Sequence, residues 1–171
     1  TYTLHLGNAK AGLGEFRPRR YGGGSIDFKS MNYFNDDYSF IEEFFHAYQA
    51  DYYGVETMID MDGDGDIPGA SNKELEARFF KMAISAEGDN WSTVEAPGQE
   101  GLSTFTLGLM TQDKDFNLKI DFTSLTAKQK EQYLQIVKNF AGYWKEFNKQ
   151  FEKGNVYDDT PTDEGPDAAL D

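Results

Sequence analysis

Residues 126 to 152 place the strongest constraint on the fold. Tyr133, Val137, Phe140, Trp144, Phe147 and Phe151 recur every three or four positions, the spacing that lines one face of an α-helix. Thr126 followed by Gln129 reads as a capping box that starts it. A helix with so broad an aromatic stripe must bury it as core, so the rest of the chain has to supply the covering elements. Residues 1 to 6 (TYTLHL) place Tyr2, Leu4 and Leu6 on one face of a strand, with His5 on its polar face. Arg17, Arg19 and Arg20 form a basic spot, and glycines 22 to 24 lead into a second strand with Ile26 and Phe28 on one face. STFTLGLM (103–110) and FNLKIDF (116–122) read as strands joined by a polar turn. Helices are expected at about 39–53 and 71–86.

The architecture that follows is α+β: a small sheet, a pair of helices and a long C-terminal helix. One domain over 1–153 suits the chain length, since domains of this size bury roughly two thirds of their unfolded surface. Residues 154 to 171 carry six acids and no Lys or Arg, which reads as a solvated, disordered tail. The aromatic content of 15% argues against disorder elsewhere. The net charge of -14 sets the chain against nucleic-acid backbones and anionic membranes. No apolar run approaches the roughly 20 residues that insertion across a bilayer requires. With no cysteine, thiolate catalysis and thiolate zinc sites are excluded.

The chemistry concentrates in FIEEFFHAYQ, residues 40 to 49. Residues four apart on a helix stand one above the other, so Glu42 and His46 can reach one metal ion. Glu43 lies about 100° round the helix, placed to act on the same space without ligating. Glu74 and Glu76 in NKELEARFF offer a third ligand.

EEFFHAYQ followed by ELEA resembles the zincin-like metallopeptidases of the gluzincin type, over about residues 22 to 80. The resemblance implies a zincin-like fold with an active-helix pair, and a peptide or protein as substrate. It also implies zinc or another divalent cation held by Glu42, His46 and Glu74, with Glu43 as general base. Two positions depart from the family: Glu42 stands where the first His is expected, and Arg78 where one form of the motif has Asp. With two carboxylates the ligand set neutralises the ion, so activation of water is expected to be weak and preference for zinc reduced. Glycines 22 to 24 would leave the strand at 25 to 29 open as a rim for an extended peptide. A secreted or extracytoplasmic setting suits such a protein.

Other readings of the same residues stay open. Ser39 with Glu42 and Ser71 with Glu74 both fit the capping box S-x-x-E, which needs no metal. A non-catalytic secreted binding module on the same fold would also carry this pattern. Residues 60 to 66 match the start of an EF-hand loop: Asp60, Asp62, Asp64 and the carbonyl of Asp66 would bind calcium, with Gly65 at the sharp turn. Position 12 of that loop is Ser71 rather than Glu, so affinity is expected at about 10⁻⁴ to 10⁻³ M. The alternative is an exposed acidic turn.

Overall fold

A computed structural model of the chain describes residues 1–7, 9, 14–34, 37–59, 67, 69–87, 95, 97–114, 118–120, 125–151 and 160–170. The fold is α+β. The chain divides into two compact units, residues 1–64 and 65–171, where one domain over 1–153 was expected. The division falls within the acidic loop at 60 to 66. That loop, with its proposed calcium ligands Asp60, Asp62, Asp64 and Asp66, lies outside the described residues.

In the first unit, strands β1 (Tyr2–Leu6), β2 (Gly14–Pro18) and β3 (Gly24–Phe28) form a sheet in the order β1-β3-β2. β1 runs parallel to β3 and β2 antiparallel to it. Register puts Leu4, Ile26 and Phe16 in one row, so alternation sends these to one face and His5, Asp27 and Glu15 to the other. A one-turn helix α1 (Met31–Phe34) precedes α2 (Asp37–Tyr53). Ala47 of α2 packs with Ile26 and Phe28, flanked by Phe16 and Phe40. Full burial of the Phe28 ring stabilises the unit by roughly 1.5–3 kcal/mol. Gly54, at a φ of 95° that suits only glycine without strain, ends α2 and leads into a short 3-10 turn, Val55–Thr57.

One expectation is corrected here. β3 is the central strand, with both edges paired, so it offers no rim to an extended peptide; among the described residues β1 and β2 are the edge strands. β2 itself was not foreseen, because its core-facing positions include Gly14 and Pro18, which carry no strand signal.

The second unit is built on α3 (Ala70–Glu87), α4 (Leu102–Gly108) and α5 (Ala127–Phe151), with a β-ribbon of β4 (Met110–Gln112) and β5 (Leu118–Ile120) and a final turn α6 (Asp167–Leu170). The capping box holds: the Thr126 N–H donates to Gln129 Oε1 at 2.8 Å and the Gln129 N–H to Thr126 Oγ1 at 3.3 Å. Tyr133, Ile136, Val137, Phe140 and Ala141 of α5 are buried at helical spacing. Phe79 of α3, Phe105 of α4 and Tyr133 meet with ring centroids 5.4–6.2 Å apart. The far end of the stripe departs from the expected core, since Phe147 is 37% exposed.

α4 overturns the expected strand at 103 to 110. Leu102, Phe105, Thr106 and Leu109 are buried at i, i+3, i+4 and i+7, a helical pattern that the run Ser-Thr-Phe-Thr disguised as alternation. Glu95 starts this helix. Its carboxylate accepts from the N–H of Gly101 at 2.9 Å, the N–H of Ser103 at 2.7 Å and the Ser103 hydroxyl at 2.6 Å. Burial pushes this carboxyl up, but the Ser103 and Gly101 donors outweigh it and hold it below the ordinary Glu value.

The tail is also corrected over 160–170, which docks on the start of α3. Pro166, Ala168 and Ala169 are buried there. Counting acids missed that small apolar residues are interleaved with them.

Candidate metal centre

α2 begins at Asp37 and α3 at Ala70. Ser39 and Ser71 therefore stand inside their helices, not at N-caps, and the capping reading of Glu42 and Glu74 loses its geometry. Glu42 and His46 stand one turn apart on α2 in the first unit. Glu74 stands on α3 in the second. Each of the three is half-buried and has one side-chain atom suited to ligate a metal ion.

The outer partners are as informative as the ligands. His46 Nδ1 lies 2.9 Å from Oε1 of Gln49, whose side chain is fully buried. An amide oxygen only accepts, so Nδ1 carries the proton and a neutral imidazole keeps its lone pair on Nε2. That is the tautomer in which a histidine ligates through Nε2, fixed by its second nitrogen. The spacing i, i+3 within His46-Ala47-Tyr48-Gln49 carried this signal in the sequence, where Gln49 was assigned no role.

Glu74 has a different kind of partner. Arg78 Nε and one terminal nitrogen donate to Glu74 Oε1 at 3.0 and 2.7 Å. The guanidinium lies over the rings of Phe140 and Trp144, 5.1 and 5.4 Å from their centroids. Both donors go to Oε1, so these two bonds make no demand on Oε2. Arg78, read from sequence as the loss of an orienting Asp, is instead an orienting cation.

Glu43, the expected general base, neighbours β2. A Cβ at Gly14 would meet Glu43 Cγ at 2.8 Å and Oε1 at 3.3 Å, so this side chain lies against β2, where glycine leaves it room. Glu76, the other candidate on α3, is 1% exposed and accepts the N–H of Ala169 at 3.0 Å. His5 is engaged with Asp27: its Nδ1 lies 2.8 Å from Oδ1 of that nearly inaccessible carboxylate. Ser25 Oγ donates to Asp27 Oδ2 at 3.0 Å, and Arg17 Nε lies 3.5 Å from the same oxygen. This cluster on the polar face of the sheet was not foreseen.

No family model, curated protein or solved structure matches the chain. Among the described residues, no helix is long and apolar enough to cross a membrane.

Proposed function

We propose that the chain is a zincin-like domain that binds a divalent cation through Glu42, His46 and Glu74, and that its peptidase activity is weak or absent. The observation that carries this reading is the His46–Gln49 hydrogen bond. A fully buried amide that holds Nδ1 prepares Nε2 for a ligand. The donor set also fits: one imidazole nitrogen with two carboxylate oxygens suits zinc, manganese or iron(II), with less bias to zinc than two imidazoles would give. When bound, the ion would polarise a peptide carbonyl or activate water.

The charge balance supports a modified chemistry. Two carboxylates offset the charge of a divalent ion, and Arg78 beside Glu74 returns one positive charge to the neighbourhood. Glu43 supports the non-catalytic side of the proposal, because it leans on Gly14. Should Glu43 not turn toward the ion, the domain is a metal-stabilised binding module, the second reading of the same site.

The test measures zinc and manganese binding to protein purified without a histidine tag, alongside cleavage of an unfolded protein. The reading expects one ion per chain, slow or no cleavage, and tighter zinc binding in Glu42→His. Rapid cleavage abolished by Glu43→Gln and by chelator would overturn the weak-activity half. Absence of any ion at micromolar zinc would overturn the whole.

A further inference from the structure

We propose that the start of α3 is a docking groove for an acidic peptide ending in one helical turn, and that its occupant is this chain's own segment 160–170. The proposal concerns the second unit alone and does not depend on the metal site.

With segment 160–170 in place, the start of α3 buries residues that a helix start does not ordinarily bury. Asn72 and Lys73 are each 4% exposed and Glu76 is 1% exposed. An amide, an ammonium and a carboxylate removed from water are costly unless they are partnered. The segment supplies partners for all three. Thr162 donates its N–H to Asn72 Oδ1 at 3.0 Å, and Asn72 Nδ2 donates to the Thr162 carbonyl at 3.0 Å and to the Glu164 carbonyl at 3.1 Å. One side-chain amide thus pairs with a peptide backbone as a neighbouring strand would. Glu76 takes the N–H of Ala169, and Lys73 Nζ lies 3.8 Å from a Glu164 carboxylate oxygen. At the entry the Gly69 N–H donates to the Thr160 carbonyl at 3.2 Å. Gly69 has a φ of 74°, and a Cβ there would press on Thr162 at 3.2 Å.

The recognition is therefore mostly of main chain, at Thr160, Thr162, Glu164 and Ala169. It has one charge contact, at Glu164, and a requirement for small residues where Ala168 and Ala169 are buried. Backbone-read grooves of this kind accept any chain of suitable shape and charge. The own segment is the favoured occupant because it belongs to the same chain, which makes its binding intramolecular and raises its effective concentration.

The test introduces a protease site within 152–159 of the full chain and cleaves it after purification. Residues 160–171 should stay bound through size exclusion and exchange with a labelled synthetic peptide of the same sequence. Asn72→Ala should weaken labelled-peptide binding at least roughly tenfold, as three hydrogen bonds are lost. A peptide with proline in place of Ala169, lacking the N–H that Glu76 accepts, should bind as poorly while leaving the protein untouched. Equal binding of a scrambled peptide of the same composition would overturn the proposal. So would immediate loss of the segment with no change in melting temperature. Unfolding of the cleaved chain would make 160–170 part of the core and overturn it too. A dimer after cleavage would overturn the assignment of the occupant, giving the groove to the segment of a second copy.

Discussion

His46 and Glu74 are both held by a side chain from the same helix, but by partners of opposite character. On α2 the partner is Gln49, neutral and fully buried; on α3 it is Arg78, charged and 20% exposed, lying over two aromatic rings. A neutral amide in a dry setting fixes a tautomer and adds no charge, so its contribution is little affected by salt. A guanidinium orients a carboxylate while repelling the cation that carboxylate would bind. The same helical spacing thus gives one side chain a partner that would favour a bound cation and the other a partner that would oppose it.

Breaking the comparison at its ligand should have the largest effect. His46→Ala is expected to lower zinc affinity by more than about 100-fold, above the 10–100-fold typical when an outer partner is lost. Isothermal titration of tag-free protein measures this. Gln49→Leu should fall within that 10–100-fold range, because the ring loses its fixed tautomer, whereas Gln49→Glu should retain most of the affinity since a carboxylate also accepts from Nδ1. If leucine at 49 left zinc binding unchanged, the hydrogen bond would be a packing feature only.

Arg78→Met sharpens the other arm. Losing the orientation of Glu74 weakens binding, and losing the repulsion strengthens it, so the net change should stay within about tenfold and below that of Gln49→Leu. Salt between 0.05 and 1 M should narrow the gap between wild type and Arg78→Met, as expected for a partly exposed charge, and should leave the Gln49→Leu gap unmoved.

The smallest effect belongs to a carboxylate whose partners include main-chain donors. Glu95→Gln is expected to destabilise the second unit by about 1 kcal/mol, the usual worth of a helix cap. Its pH dependence has a definite sign. The folded-state pKa lies below the unfolded one, so the stabilisation is complete above the ordinary Glu range and is lost as pH falls through the folded value. Thermal melts of wild type and Glu95→Gln should therefore converge at low pH and differ at neutral pH.

How much of this was legible in the sequence follows from which residues carried periodic signals. α2, α3 and α5 were legible because apolar spacing and, for α5, the Thr126–Gln129 box agree. The strand assigned at 103–110 was wrong because Ser-Thr-Phe-Thr alternates, and the helical burial of Leu102, Phe105 and Leu109 outweighs the weak helix propensity of threonine. The tail was misread because its six acids were counted while Pro166, Ala168 and Ala169 were not. In the candidate site, the one-turn separation of Glu42 and His46 on α2 was legible from their i, i+4 spacing. The orienting roles of Gln49 and Arg78 depend on which atom faces which, and spacing alone does not carry that. Asp27 was hidden for a related reason: alternation puts it on a polar face, and only its contacts with His5, Ser25 and Arg17 single it out there.

The measurement that tests the central claim most directly is X-ray absorption at the zinc edge on tag-free protein loaded with one equivalent of zinc, compared with His46→Ala. The account predicts one bound ion with a single imidazole among oxygen donors at about 2.0–2.2 Å, and loss of that imidazole signal with loss of the ion in the variant. Zinc that stays bound in His46→Ala, or a wild-type spectrum without imidazole, would contradict it.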